Sequence, residues 1–439
     1  MKNAAILSSS AKANYNAKPK LKIWTTEIKS TLRIKRAKYG IWKDNGKPMD
    51  INSIICKEKK ESKKEFRRCN RVELAKQRDE EKELIMKTKT KDMQLFHNRK
   101  KGSEVIIDLN VNGKQYDGEE NVMTGFREHL KNLATFDLNM NIDNKYHDMV
   151  EDEIQIINDI VAHESIEETN DEEIAKAIRS INRGKSTDYH GLTIEHIINA
   201  GKDMEKLLLI TNEIFRQGRI PETLKAGLLT PIFKNKGLKT QVTNYRGITV
   251  LPVISKIVEP IIKARIQNQV LEIQSRTQRG YTSGSLPVNS ALAVEECYRE
   301  AAYNDTDCQI ILLDAKATFD KVIHSHMLRR VYQAGIDDKH WVLIKSLHEN
   351  AVSSVKWAGQ KSEPFEVNQG VRQDGILSTD LYKLYINPLL NRLEATNIGL
   401  RIGDISTNST ACADDVALLS ENPVHTQILI NMAYDYAYM

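Results

Sequence analysis

Apolar residues along this chain follow two rhythms, and the change between them divides it. From Trp24 to Lys100 they are sparse (Ile41, Ile51, Ile55, Leu74, Ile85, Leu95) in a background of Lys, Arg and Glu, which predicts long charged helices with a narrow apolar stripe. Val105–Tyr116 then alternates apolar and polar positions around Asn112-Gly113, a hairpin signal. Val122, Phe126, Leu130 and Leu133 mark one helix face. Ile174, Ile178 and Ile181 mark another, starting near Thr169-Asn170-Asp171 and stopping at Gly184. A helix over Lys206–Gln217 ends at Gly218 and Pro221, strands follow near 226–233 and 246–251, and helices run from Pro252 to about Gln274 and from Leu286 to Ala302. A strand from Cys308 leads into helices at His324–Ala334 and Asp338–Glu349, a hairpin at 352–367, a helix at Ser378–Thr396 and a last hairpin at 411–420. Helices and strands segregate without strict βαβ alternation, so the predicted class is α+β.

Two of these strands carry acids at their tips. The run IILLD (310–314) ends in Asp314, and ACADDVALLS (411–420) holds Asp414 and Asp415 between apolar half-segments, as in a tight turn. Taken alone, an acid after a strand is usually a cap, and paired acids at a hairpin tip are usually a solvated turn. Brought together, three carboxylates can hold two Mg²⁺ ions that clamp the attacking and leaving oxygens of a phosphoryl transfer. That chemistry points to a nucleic-acid polymerase.

The neighbouring segments narrow the class. LLDAKATFDKVIH (312–324) resembles the first catalytic motif of reverse transcriptases, and the Ala413-Asp414-Asp415 turn resembles their second. NQGVRQDGILSTDLYKLYINPLL (368–390) resembles the motif that holds template and incoming nucleotide. LTPIFKNKG (229–237) with NYRGITVLPVISKIVEPIIKARI (244–266) resembles the fingers region of non-LTR (LINE-type) retrotransposon enzymes, and RTQRGYTSGSLPVNSALAVEE (276–296) fills the place of their glycine-containing segment before the palm. The segments follow the family's order over about 180–420.

The resemblance implies a right-hand polymerase with fingers at about 171–305 and a palm at about 306–439, cut before the thumb. A basic helical arm (1–100) and an acidic connector with a hairpin and a helix (101–170) precede it. It also implies roles. Asp314 and Asp414, supported by Asp415, would be the catalytic Mg²⁺ ligands, and two ions are expected. Phe319 would lie beneath the sugar of the incoming nucleotide and exclude a 2′-hydroxyl, while Asp320 would hold the turn. Arg246 and Lys234 would contact the triphosphate, with Lys236 a competing candidate that spacing does not separate from Lys234. Gln373 would lie near the nascent base pair. Lys185 and Asp188 sit loosely where the family has a Gly/Pro-rich turn. Two positions depart from the pattern. Asp374 stands where relatives have Gly, adding bulk and negative charge beside a polyanionic substrate, which is expected to lower turnover. Cys412 stands where relatives often have an aromatic. The implied substrates are dNTPs, an RNA template and a DNA primer.

Charge sharpens the division. The net charge is +5, yet residues 1–100 hold 28 Lys/Arg against 12 Asp/Glu, and residues 101–180 hold 7 against 19. A basic block followed by an acidic one suggests a nucleic-acid-facing arm joined to a solvated connector. Five cysteines with no CxxC pair argue against a disulfide framework or zinc knuckle. With neither a signal-peptide pattern nor a run of about 18 apolar residues, an intracellular protein with no membrane segment is expected, in nucleus or cytoplasm. The alternative function is a non-catalytic retrotransposon remnant that binds nucleic acid through the basic arm.

Overall fold

The computed structural model describes residues 25–48, 53–87, 106–136, 142–201, 204–282, 284–315, 317–373, 375–403 and 405–439. It divides into two compact units, 1–88 and 89–439.

The first unit is a helical hairpin of α1 (Thr26–Asp44) and α2 (Ile54–Lys87). The Thr25 side chain caps α1 by accepting from the Ile28 amide at 3.3 Å. The helices run antiparallel, since Trp42, Lys38 and Lys35 of α1 meet Lys59, Glu58 and Phe66 of α2 in turn. The Lys59 ammonium lies 2.9 Å from the centroid of the Trp42 ring, so the narrow seam uses cation–π contacts where a richer core would use aliphatics.

The second unit begins with the hairpin β1 (Asp108–Val111) and β2 (Lys114–Asp117). Asn112 and Gly113 both have positive φ, 51° and 89°, the turn whose twist matches a two-residue hairpin. Helix α3 (Glu119–Ala134) packs Val122 and Phe126 against Leu109 and Tyr116 of that hairpin and against Leu229 and Val355. Helix α4 (Asn144–Val161) buries Val150, Ile154, Ile157 and Val161 in the main core. The acidic stretch expected to be a connector thus contributes a hairpin and two helices to the packed unit. Its acids line the solvent face of α4, while the 3.6-residue apolar repeat faces inward.

Helices α5 (Asp171–Ser180, opened by an Asn170/Glu173 capping box), α6 (Ile194–Ile198) and α7 (Met204–Gln217) follow. Strands β3 (Gly227–Phe233) and β4 (Tyr245–Val250) come next, then α8 (Val253–Ile273) and α9 (Pro287–Tyr303). The remaining elements are β5 (Gln309–Leu313), α10 (His324–Gln333), α11 (Lys339–His348), β6 (Val352–Trp357), β7 (Gln360–Lys361), β8 (Phe365–Glu366), α12 (Ser378–Ala395), β9 (Leu400–Ile402), β10 (Ile405–Thr407), β11 (Ser409–Cys412), β12 (Asp415–Ser420) and α13 (Pro423–Tyr438). Two sheets matter for the site. One has the order β4-β3-β6-β7, with β8 also on β6 and β3–β6 parallel. The hairpin at 352–367 therefore joins the strands of the preceding segment and ties the two halves of the unit together. The other is the antiparallel sheet β11-β12-β5. Its inner face (Ile311, Leu313, Val416, Leu418) meets the core built by α8, α10, α11 and α12 around Trp341 and Tyr382.

Several histidines lie in or against that core. His326 lies 3.1 Å from His147, ring nitrogen to ring nitrogen, and His348 Nδ1 lies 2.8 Å from the Ile344 carbonyl. Burial pushes the imidazoles of His326 and His348 down to about 3 and lowers His324 as well. With folded values below the unfolded one, the unfolded chain binds more protons at mildly acidic pH, so stability falls as pH drops from about 6.5 toward 3. From pH 7 to 5 the expected loss is roughly 2 kcal/mol for each of His326 and His348. Burial raises Glu259 and Asp320, which offsets part of it. Urea melts at the two pH values check this. A midpoint that does not fall, or a His348→Gln variant with undiminished pH dependence, contradicts it.

Candidate active site

The acids sit where the sheet's register puts them. Val416 of β12 pairs with Leu313 of β5, and Cys412 of β11 pairs with Asp415. Asp314 is thus one step beyond the last registered pair, level with Asp415, at the same end of the sheet as the Ala413-Asp414 turn. Asp314 and Asp415 are exposed and Asp414 is half-buried. Ala413 takes φ of 63°, as the first central residue of such a turn requires.

A segment the sequence did not single out residue by residue holds this turn in place. The Gln278 side chain, 2% exposed, accepts from the Ala413 amide at 2.9 Å and donates to the Ala413 carbonyl at 3.1 Å. The neighbouring backbone continues the pairing, with Arg279 N to Ala411 O at 2.7 Å and Ala411 N to Thr277 O at 2.9 Å. Gly280 lies so close that a Cβ there would stand 2.1 Å from the Ala413 nitrogen. The glycine of this segment is therefore needed because two backbones touch. A Gln two residues before a Gly was the available signal, but sequence alone shows neither the burial of that Gln nor what the two press against.

Beside the turn opens a cleft of about 640 Å³. Lys234, Arg246, Phe319, Asp320, Gln373 and Asp414 all line it. Lys236 is absent from its lining, which separates the two candidate lysines in position. Asp314 and Asp415 stand on the strand ends outside the lining residues. Lys234 is held by the β3–β4 loop, its ammonium donating to the Thr243 carbonyl at 3.0 Å and its amide to Asn244 O at 2.8 Å. Arg246 pairs with Ile232 across that hairpin and is exposed.

Phe319 lies on a short 3-10 turn and stacks on Tyr382, centroids 4.7 Å apart and planes 20° apart, with Tyr281 edge-on at 6.4 Å. Such a ring is fixed rather than swinging into the cleft. The Tyr382 and Tyr281 phenols are raised, first by burial and then by the Asp414 carboxylate, which places that charge close to both. Gln373 donates to both Asp320 oxygens at 3.0 Å. Burial raises the Asp320 carboxyl, while that hydrogen bond and Lys234 work against the rise. Asp320 and Gln373 thus form one unit joining the two motifs, and the amide of Gln373 is engaged by the protein. Asp374 lies outside the described residues.

The loop carrying Gln373 is clamped from below. Glu259 of α8, 5% exposed, accepts from the amides of Ile376 at 2.8 Å and Leu377 at 3.3 Å. Asp380, 2% exposed, binds Lys263 at 2.8 Å and Lys383 at 2.7 Å. Asp188, 3% exposed, accepts from the amides of His190, Leu192 and Val253 at 2.8–2.9 Å, a structural tie between its loop and the start of α8. Lys185 beside it is exposed. Cys412 is half-buried next to the acids, its thiol raised by burial and then by Asp415 and Asp414.

Three carboxylates at one end of an antiparallel sheet, one of them, Asp414, lining a cleft with Lys234, Arg246 and a stacked aromatic pair, define a class. Residues 233–437 match the family described as reverse transcriptase (RNA-dependent DNA polymerase), and the second unit has the fingers and palm of such a polymerase. This match and the relatives described next support a LINE-type reverse transcriptase of a non-LTR retrotransposon. It is 26% identical over 259 residues to the transposon TX1 149 kDa protein of Xenopus laevis, covering 58% of this chain and 20% of that one. It is 26% identical to the Pol polyprotein of the R2DM element of Drosophila melanogaster, covering 52% of this chain and 21% of that protein. It is 30% identical to the probable RNA-directed DNA polymerase of the Drosophila melanogaster X-element, covering 41% and 20%. The chain thus spans about a fifth of the length of these relatives. A telomerase from Candida tropicalis with a fragment of telomeric RNA matches at TM-score 0.36 and 13% identity over 53% of this chain and 41% of that one, a likeness that adds nothing to the fold assignment. No described helix is long and apolar enough to cross a membrane.

Proposed function

We propose that this chain carries the catalytic centre of an RNA-directed DNA polymerase, extending a DNA primer with dNTPs on an RNA template. The observation that supports it most is the joint lining of one cleft by Asp414, Phe319, Asp320, Gln373, Lys234 and Arg246, which come from four separate sequence segments. Lys234 and Arg246 supply positive charge for a triphosphate, Arg with a fork that matches phosphate oxygens and Lys as a point charge. Phe319, locked between two tyrosines, presents a ring edge to the sugar. The Asp320–Gln373 pair keeps the segment beside the nascent base pair in place.

Asp314, Asp414 and Asp415 are the residues that would hold Mg²⁺. Their donors fit it, being hard oxygens open to solvent at one end of a sheet. Among the described residues no three His, Cys, Asp or Glu side chains converge as a metal-binding group. Mg²⁺ commonly keeps several positions of its shell for substrate phosphate and water, so few protein carboxylates are needed. When bound, such ions supply a more acidic 3′-hydroxyl and charge neutralisation on the departing pyrophosphate.

Primer extension by the full-length protein tests the proposal, with Asp414→Asn as the inactive control. The reading as a non-catalytic remnant expects binding of primer–template with no extension. Sugar choice gives a finer check. A hydrophobic wall discriminates against one added hydroxyl by up to about 100-fold, so Phe319→Ala is expected to raise the ratio of rNTP to dNTP incorporation by up to that factor. An unchanged ratio removes Phe319 from sugar selection.

A further inference from the structure

Helix α2 carries more order in its charges than a solvated helix needs. At about 100° per residue, Lys57, Lys60, Lys64, Arg67 and Arg71 fall within an arc of about 80° and rise over about 21 Å. All five are exposed. Lys63 and Arg68 flank them, and no acid from 57 to 71 enters that combined arc. Glu58, Glu61 and Glu65 gather on a separate flank, where Glu65 accepts two hydrogen bonds from Arg68 at 2.8 and 2.9 Å. The third side, with Lys59 and Phe66, is taken up by α1.

This segregation is unfavourable for the helix by itself. Lys60/Lys64, Lys63/Arg67 and Arg67/Arg71 are like charges four residues apart, each pair destabilising, whereas interspersed Glu and Lys would stabilise. A surface chosen only for solubility has no reason to keep such a row. A row of like charges one helical turn apart suits a partner that presents regular negative charge over a comparable length. A membrane surface would also need an apolar face to insert, and the basic row from Lys57 to Arg71 holds no apolar residue.

We propose that the exposed basic row of α2 is a binding surface for a nucleic-acid backbone, built from none of the residues that line the cleft and independent of whether the chain polymerises. Contact through phosphates implies little sequence preference and a steep dependence on salt. Each phosphate contact contributes about 0.9 to the slope of log affinity against log salt on duplex DNA and about 0.7 on a single strand.

The test measures affinity of the full chain for a mixed-sequence RNA strand and a mixed-sequence DNA duplex from low to physiological salt. In a variant with Lys57, Lys60, Lys64, Arg67 and Arg71 all changed to Gln, the slope is expected to become shallower by about 3.5 on the strand or 4.5 on the duplex, and whichever falls identifies the form bound. Gln is a good helix former, and helicity by circular dichroism checks that the hairpin remains. A second variant keeps the charge (Lys57→Arg, Lys60→Arg, Lys64→Arg) and is expected to keep the slope. A third removes five exposed basic residues of the other unit (Lys145, Lys176, Arg179, Arg219, Arg299) and is expected to leave it nearly unchanged. An unchanged slope in the first variant, or an equal fall in the third, overturns the proposal.

Discussion

Asp414→Asn is expected to reduce primer extension by about 10³-fold or more while leaving the fold intact. The substitution keeps the size of the side chain and one oxygen that can still accept from Thr318 Oγ1, now 3.4 Å away. It removes the negative charge at the one acid that both belongs to the turn and lines the cleft. A carboxylate that helps hold an ion at a developing phosphoryl transition state contributes several kcal/mol, and about 4 kcal/mol corresponds to three decades in rate. The change also has a signature apart from turnover. The Tyr281 phenol, raised in part by the Asp414 charge, should titrate at lower pH in the variant. Retained activity with a shifted Tyr281 would show that the charge is present but not catalytic.

Gly280→Val is expected to cost at least about 100-fold in turnover without touching any residue that lines the cleft chemically. Its Cβ would stand 2.1 Å from Ala413 N and 2.8 Å from the Cys412 carbonyl carbon, backbone atoms that cannot rotate away. The turn must therefore move, and Asp414 with it. Displacements of about 1 Å at a reacting centre cost around 10²-fold. Gln278→Ala, which removes the hydrogen bonds to Ala413 but adds no bulk, should fall between this variant and the unaltered protein. Single-turnover extension rates order the three. If Gly280→Val turns over normally, the turn does not depend on this contact.

Much of this organisation was legible in the sequence because its cause is local. The Asn112-Gly113 hairpin, the helix from Val253 and the acid-tipped turn follow from turn chemistry and periodicity, and their bounds in the structure differ by one to three residues from those expected. Helix α4 escaped because its apolar positions are diluted by Asp and Glu in a segment dominated by charge. Only the core on its inner side, supplied by α10 and α11, reveals which face is buried. The parallel pairing of Gly227 with Ser353 was likewise hidden, since registers between distant strands are set by tertiary packing. At the site, residue types and order pointed to Asp414, Phe319 and Arg246. What they could not show was that Gln373 is bound to Asp320, that Gln278 grips the turn, or that Glu259 and Asp380 fasten the intervening loop. Apart from Asp380–Lys383, which is a local i,i+3 pair, those contacts join positions separated by fifty residues or more, where no spacing rule applies.

The most direct test supplies the full-length protein with a DNA primer on an RNA template, Mg²⁺ and the single dNTP complementary to the next template base. The account expects extension by one nucleotide, dependent on that template base and lost in Asp414→Asn. Tight binding of the primer–template with no extension, or extension that persists undiminished in Asp414→Asn, would contradict it.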